Sequence, residues 1–221
     1  MARILITSGP TQEPLDSVRY LSNASSGRTG AALAEEAIRR GHEVDLVLGP
    51  AEVPPPSGAR VFRVLTCAEM LDACRRLHGD CDALIGAAAV ADFRPAHPLF
   101  GKKDRGESPW TIELVPNPDI LAELRPLKGR RIHAGFALEA VEGLDEALPR
   151  ARMKLEKKGL DWIVVNTPGA LGGESGAYLV LGSAGPPIRW DEISKRELAR
   201  RLLDLIEKSL KRSRSGADKD E

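Results

Sequence analysis

The sequence predicts an α/β domain: a doubly wound, mostly parallel sheet with helices on both faces and a C-terminal β extension. Three observations predict it. Short β-rich runs alternate with runs of helical period along most of the chain. One of them, DALIGAAAVA, is apolar throughout, as strands buried on both faces are. The last β-rich pair, AYLVLG and PIRW, is spaced like a hairpin and is followed by an amphipathic run. Parallel strands joined by right-handed crossovers make the sheet Rossmann-like, and ligands of such sheets sit at the carboxyl ends of the strands.

The elements follow in order. RILITS is the first strand and ends at Ser8. Ser26 to Arg40 has the period of a helix, with Ala31, Leu33, Ala34, Ala37 and Ile38 on one face and Gly41 at its end. Ser25 or Ser26 can cap it. EVDLVLG is the second strand, closed by Gly49-Pro50, and AEVPPPSGA is a Pro-rich loop. RVFRVL is the third strand and Thr66–Leu77 the next helix. After DALIGAAAVA, residues 92 to 109 are polar and rich in Pro and Gly, a long loop of the kind that carries function. WTIELV resumes strand character. NPDILAEL starts a helix, with Asn117 as its cap and Pro118 near its first position. RIHAGFAL is a strand, Leu144 to Lys158 a helix and DWIVVN a strand. SKRELARRLLDLIEKSL closes the fold, capped by Ser194. Residues 1–211 thus read as a single domain, and 212–221 as a disordered tail.

Composition narrows the function. The 221 residues are 42% hydrophobic and 29% charged, enough apolar material for one core. Basic and acidic residues number 32 each, so there is no basic field to condense on a nucleic acid. No apolar run has the length of a membrane span, and MARILITSG lacks signal-peptide architecture, which points to the cytoplasm. Cys67 and Cys74 share a helix face and Cys81 lies beyond it. With no CxxC and no nearby His pair, they read as packing thiols of a reducing compartment.

Four stretches can carry chemistry. SSGRTG places Gly27 and Gly30 at a helix N-terminus, where free amides and the helix dipole suit phosphate. Alone it is equally a capped helix with a packing glycine. The insert GPTQEPLDSVRYLSN before it carries Arg19 and Asn23 and holds nothing resembling core. AAAVADFRP leaves room for a ligand against backbone and sets Asp92 at a strand's carboxyl edge, although the alanines also suit close helix packing. Lys102-Lys103 lies in the long loop, while Lys154 and Lys158 share a helix face. Each lysine can be a solvated charge or can neutralise a phosphoryl group.

The order of these stretches resembles the phosphopantothenate–cysteine ligase (phosphopantothenoylcysteine synthetase) family. TSGPTQEPLDSVRYLSNASSGRTGAALAEEAIRRGHEVDLVLGP is similar to the family's opening block. AAAVADFRP, Lys102, NPDIL, GFALE, Lys154…Lys158 and DWIVVN follow in the family's order, from Arg3 to about Leu210. The resemblance implies a ligase that joins 4′-phosphopantothenate to L-cysteine in coenzyme A synthesis. The acid is activated by CTP, or less commonly ATP, as an acyl-nucleotidylate with release of pyrophosphate, and the cysteine amine then opens it. It implies Mg²⁺ bound mainly through the phosphates, and a homodimer. Carried over by position, Gly9, Ser25, Gly27 and Gly30 line the nucleotide and its phosphates, and Phe136 and Asn166 contact the nucleoside. Gly86, Ala87 and Ala88, the loop Asn117, Pro118, Asp119 and Ile120, and Lys154 and Lys158 match further CTP contacts. Asn23, Ala88, Ala89 and Asp92 hold the acid substrate and its nucleotidylate, with Asp92 also reaching the nucleotide. Arg19 reaches a partner subunit's substrate. Asn23 and Lys102 carry the catalytic roles, and metal ligands are unassigned.

Some positions depart from the family. Where bacterial members often carry K-x-K-K, this chain reads Lys102-Lys103-Asp104-Arg105. Thr167 replaces the usual Asp after Asn166, and LGGESGAYLVLG is shortened. Many bacterial relatives carry a flavin-dependent decarboxylase domain ahead of this one. A chain that starts at the synthetase strand is expected to be a stand-alone enzyme or an excised domain. Two other readings are an NAD(P)-dependent reductase and a non-catalytic nucleotide-binding protein. The reductase expects more glycine at the first turn and an acid ending the second strand, where Gly49-Pro50 stands. The co-occurrence of Asn23, Asp92 and Lys102 weighs against the second.

Overall fold

The computed structural model describes residues 1–106, 108–141, 143–167 and 173–217. In chain order the elements are β1 (Arg3–Ser8), β2 (Gln12–Pro14), β3 (Tyr20–Ser22), α1 (Arg28–Arg39), β4 (Glu43–Leu48), β5 (Arg60–Arg63), α2 (Cys67–His78) and β6 (Ala83–Gly86). There follow β7 (Phe93–Pro95), β8 (Leu114–Pro116), α3 (Ile120–Leu124), β9 (Ile132–Leu138), α4 (Leu148–Lys158), β10 (Trp162–Asn166), β11 (Ser175–Gly182), β12 (Ile188–Ser194) and α5 (Lys195–Ala217). Eight strands form one sheet in the order β12-β11-β10-β9-β6-β1-β4-β5. From β10 to β5 every pairing is parallel, and β11 and β12 add an antiparallel edge. The chain winds outward from β1 through β4 and β5, then crosses back to β6. The reversal between β1 and β6 is where crossovers leave on opposite sides and open a crevice.

Side-chain alternation explains the two layers. Ile4 and Ile6 of β1 face α1 and α5, together with Leu46, Ile85, Val164 and Val180. Leu5 faces α2, α3 and α4, with Val47, Leu84, Ile163 and Val165. On α5, Leu198, Leu202, Leu203 and Ile206 are fully buried. Each contributes roughly 1.5–3 kcal/mol, which is what docks that helix on the sheet. Cys67, Cys74 and Cys81 are all buried thiols of the opposite core. Burial pushes them up to about 11, 12 and 12 respectively, so they stay protonated and inert. Among the described residues no helix is long and apolar enough to cross a membrane.

Several expected boundaries move. α1 starts at Arg28, and neither serine caps it: its N-cap is Gly27 in the left-handed region, with φ 79°. β6 stops at Gly86 because the chain bends to follow the loop after β1. Ala87 N donates to Thr7 O (3.2 Å), and Ala89 N donates to Gly9 O (2.9 Å). Of WTIELV only Leu114 and Val115 are strand, in the three-residue β8 that pairs with β7 in a separate two-stranded unit. α3 is capped by Asp119, whose carboxylate accepts from Ala122 N, rather than by Asn117. The Leu144–Lys158 segment opens as a 3-10 turn, Leu144–Ala147, before α4. Ser194 does cap α5, accepting from Glu197 N at 3.1 Å. α5 then runs to Ala217, so residues 212–217 of the expected disordered tail are helical. Ser213 Oγ donates to Arg130 O and Arg214 pairs with Asp82, which ties this last stretch to the sheet. Residues 218–221 of that tail, and Leu171-Gly172 of the shortened segment, lie outside the described residues.

At the amino end of the sheet lies a buried histidine pair. His78, ending α2, and His133, in β9, meet Nε2 to Nε2 at 2.8 Å, with their rings edge to face. Both are essentially inaccessible. One ring must donate and the other accept, so the acceptor is neutral, and burial disfavours the charged form of both. Burial, then the neighbouring His78, pushes His133 down to about 3. Burial and Arg131 also lower His78. The unfolded chain therefore binds more protons below the ordinary histidine range. This contribution is whole above about pH 6.5 and fades as pH falls toward 3. Between about pH 6.5 and 5, above the range where paired carboxylates such as Glu36 titrate, we expect a loss of roughly 2 kcal/mol in urea unfolding. His133→Gln should flatten that slope, and an unchanged slope excludes the pair as its source. A second expectation concerns α1 and β1. A Cβ at Gly30 would lie 2.4 Å from Ser8 Cβ and 3.0 Å from Ser8 Cα. Gly30→Ala should cost about 1–3 kcal/mol by forcing the helix off the strand, seen as a lowered melting temperature. A melting temperature equal to that of the native protein would show that α1 can shift freely.

Candidate functional site

A cavity of about 600 Å³ opens at the carboxyl edge of the sheet, where β1 and β6 diverge. One wall is the N-terminus of α1. Gly27 takes φ 79° there, and Ser8 Oγ donates to Gly27 O (3.2 Å), fixing the turn to the end of β1. Ala31 N, donating to Gly27 O at 3.1 Å, is the first intrahelical donor, so the amides of Thr29 and Gly30 precede the helix ladder. Close approach depends on missing side chains. A Cβ at Gly27 would sit 2.7 Å from Ala51 Cβ, and one at Gly49 would sit 1.9 Å from Pro10 O.

Asn23 enters from the insert before α1. Its amide nitrogen donates to Val90 O at 2.9 Å and meets Ala89 O at 3.5 Å. Two carbonyl oxygens leave only one assignment for the amide: nitrogen toward the backbone. One N–H is fully used by Val90, and the second, stretched one can turn to an oxyanion. Opposite, Asn117 Nδ2 donates to Ala91 O (2.8 Å) and Asn117 N to Asp92 O (2.8 Å), which moors the Asn117–Ile120 loop to the exit from β6. This mooring is why Asn117 does not cap α3. A Cβ on Gly86 would reach within 2.9 Å of Leu121, so the glycine lets that loop sit low over the strand.

Cations and carboxylates share the cavity. Lys154 pairs with Glu139 (2.5 Å), a carboxylate only 5% exposed that Arg150 also approaches at 3.6 Å. Lys158 pairs with Asp119 at 3.0 Å. Glu156, the sequence neighbour, is neither lysine's partner. Lys195, at the start of α5, is lowered by burial and by the nearby Arg28. The site thus gathers positive charge and oriented amides around a pocket floored by alanines. Such an arrangement stabilises phosphoryl charge without a nucleophile.

Seventeen of the sequence-predicted residues line this one cavity: Asn23, Ser25, Gly27, Gly30, Gly86, Ala87, Ala88, Ala89, Asp92, Asn117, Pro118, Asp119, Ile120, Phe136, Lys154, Lys158 and Asn166. Three do not. Gly9 lies beneath the wall, with φ 77° and its Cβ position 3.0 Å from Gly49 O, so it supports the turn from behind. Arg19 and Lys102 stand outside, on a separate arm. Arg28, Thr7, Leu121, Tyr178 and Lys195 also line the cavity and were not anticipated. Tyr178 lies in β11, and Lys195 directly follows β12 at the start of α5. Two antiparallel reversals return the chain to the carboxyl edge, so the hairpin itself was the available signal.

Comparisons with known proteins bear on the family and the fold. Residues 1–210 match the family model described as DNA/pantothenate metabolism flavoprotein C-terminal domain. The chain is 38% identical over 215 residues to the coenzyme A biosynthesis bifunctional protein CoaBC of Mycobacterium tuberculosis, covering 92% of this chain and 51% of that protein. It is 41% identical over 214 residues to a protein from an unknown prokaryotic organism named cysteine/cysteine sulfinic acid decarboxylase, covering 92% of this chain and 58% of that one. The chain thus spans a little over half the length of these relatives. A crystal structure of the C-terminal domain of a CoaBC protein superposes with a TM-score of 0.81 at 34% identity, covering 95% of this chain and 96% of that one. The chain belongs to the DNA/pantothenate metabolism flavoprotein C-terminal domain family.

Proposed function

We propose that this chain is a phosphopantothenate–cysteine ligase, joining (R)-4′-phosphopantothenate to L-cysteine in the cytoplasm as a step of coenzyme A synthesis. CTP is the activating nucleotide, with ATP the less favoured one. The observation that carries the reading is one cavity lined at once by the α1 amides, Asn23, Asp92, the Asn117–Ile120 loop and Lys154 and Lys158. The names of the CoaBC relatives support the pathway.

In this reading the substrate carboxylate attacks the α-phosphorus of the nucleotide. The α–β bond breaks and pyrophosphate leaves, giving an acyl-nucleotidylate. The cysteine amine then adds to the acyl carbon, and the nucleoside monophosphate departs as the amide forms. The protein's part is positional and electrostatic. Amides of α1 and the lysines of α4 receive phosphate charge, Phe136 and Asn166 meet the nucleoside, and the spare N–H of Asn23 meets the oxygens of the mixed anhydride. Asp92 and Asp119 are the carboxylates lining the cavity among the described residues, and Asp119 is already engaged by Lys158. Among those residues no cluster of three acidic, His or Cys side chains could cage a cation. Mg²⁺ would be held chiefly through the phosphates, with Asp92 as a carboxylate of the cavity that could take part. Lys102 and Arg19, outside the chain's own cavity, act on the cavity of a second copy in a homodimer.

The decisive measurement is pyrophosphate release with phosphopantothenate, L-cysteine, Mg²⁺ and either CTP or ATP. Release that needs the acid substrate is expected, faster with CTP, and none with any nucleotide would falsify the ligase reading. Asn23→Asp should lower turnover by tenfold or more, on the order of the loss of a charge-assisted hydrogen bond. It places a carboxylate against two carbonyl oxygens and the anionic intermediate, and turnover at the native rate would remove Asn23 from the mechanism. Lys102→Gln should slow the nucleotide-dependent step about tenfold, and an unchanged rate would reduce Lys102 to a solvated charge.

A further inference from the structure

The arm that carries Arg19 and Lys102 is organised around a single buried carboxylate. Asp16 lies in the insert before β3, its side chain wholly inaccessible although the surrounding loops are exposed. Oδ1 accepts from Val18 N (2.9 Å) and Arg19 N (2.8 Å). Oδ2 accepts from Arg19 Nη1 (3.0 Å) and from Lys103 N (3.2 Å), 87 residues away in sequence. The rest of the arm closes around this centre. Arg19 Nη2 donates to Lys103 O (3.1 Å), Ser17 N to Gly101 O (3.2 Å) and Leu99 N to Leu15 O (3.0 Å). Trp110 receives the Arg19 guanidinium at 5.5 Å and the Lys103 ammonium at 5.6 Å from its ring centre. Without these contacts residues 99–103 would be a polar loop with no apolar anchor of its own, since Leu99 and Phe100 are both exposed.

We propose that Asp16 is a positioning residue of the ligase reaction, locking Arg19 and the Lys102–Lys103 segment into one rigid arm. This rests on the ligase reading, in which Arg19 and Lys102 act on substrate and Asp16 never touches it. Burial alone would raise the Asp16 carboxyl. The amides of Val18, Lys103 and Arg19 and the Arg19 charge outweigh it and hold the group below its ordinary range. The carboxylate is therefore ionised wherever the enzyme works, as four simultaneous donors require.

The two oxygens have separable duties, and Asp16→Asn separates them. An asparagine keeps Oδ1 for Val18 and Arg19 amides, so the local turn survives. Its Nδ2 cannot accept, so the bonds to Lys103 N and Arg19 Nη1 are lost. Amide hydrogen exchange, melting temperature and pyrophosphate release are to be measured on the native protein and on Asp16→Asn, each with and without Lys102→Gln. In Asp16→Asn the Lys103 amide should exchange about tenfold faster or more while the Val18 and Arg19 amides stay protected. Melting should stay within about 5 °C of the native protein, and kcat/KM should fall roughly tenfold. That loss should shrink about threefold or more when Lys102→Gln is already present, because the two changes act through one group. Native turnover in Asp16→Asn, or a Lys103 amide exchanging equally in both proteins, overturns the proposal. Where a variant turns over too slowly to enter the cycle, the exchange pattern decides. Should Asp16→Asn not fold, the native protein still answers, since a Lys103 amide exchanging at the rate of an open loop overturns the proposal and a protected one upholds it. A native protein that releases no pyrophosphate sinks the ligase reading instead, and leaves the exchange pattern of the arm intact.

Discussion

The site depends on how closely backbones approach one another where β1 and β6 part. The end of β1, the start of α1 and the end of β4 meet there with glycine at each contact. Gly30 lies against Ser8 and Gly49 against the Pro10 carbonyl, at separations no Cβ could share, and Gly9 lies close against Gly49 O with a left-handed φ of 77°. Only with these side chains absent can the α1 N-terminus descend to the carboxyl edge and present its first amides to the crevice. The alanines that continue from β6 keep the opposite wall equally low. The cavity is thus space left by small residues at a topological reversal, enclosed by two cores that fix its rim.

What those cores cannot fix is held by acids, three of them buried: Glu13, Asp16 and Glu139. The insert after β1, the loop after β6 and the approach to α3 contain little that can be buried for its own sake. Each is tied down by one carboxylate or amide with several donors. Asp16 gathers the arm. Glu13, 3% exposed in β2, accepts from Cys67 N at 2.8 Å, so it joins that arm to the N-terminus of α2. Glu139 holds Lys154, and Asp119 both caps α3 and holds Lys158. Acids at helix starts are favoured by the helix dipole as well as by their hydrogen bonds. The same groups therefore order loops and aim cations. A substitution at any of them should be felt in the cavity even where the side chain does not face it.

The sheet was legible because its signal is periodic and redundant. Alternation along β1 and the apolar run entering β6 each state which faces are buried. The layering follows from crossover handedness. The short strands β2, β3 and β7 were not legible, since three residues carry no period and their pairing is set by tertiary contacts, and β8 was read only within the longer run WTIELV. The cap of α3 was misjudged between two competent residues, Asn117 and Asp119. The choice turns on Ala91 O, which needs a donor and takes Asn117's amide, a contact across 26 residues. The helical end of the chain was read as tail because Ser213 and Arg214 find partners only on the far edge of the sheet. In the site, the order of motifs identified residues that the fold then drew to one cavity. Lys195 escaped because its position follows from the direction of a hairpin, and nothing in its own neighbourhood announces a ligand.

The identity of residue 23 follows from the backbone around it. Ala89 and Val90 turn their carbonyls toward the insert beyond the end of β6, where Ala89 O also accepts a long bond from Thr11 N (3.4 Å). A carboxylate there would meet two oxygens and carry charge into a cavity whose own cations are half neutralised by Glu139 and Asp119. An amide removes both conflicts: its nitrogen answers the carbonyls and retains one loosely committed hydrogen. The proposed mixed anhydride would call for such a group, because an anhydride must be held by donors and kept from nucleophiles until the amine arrives. Among the described residues that line the cavity there is no thiol or imidazole; beside Asn23 stand backbone amides, alanines and the hydroxyls of Ser25 and Ser26.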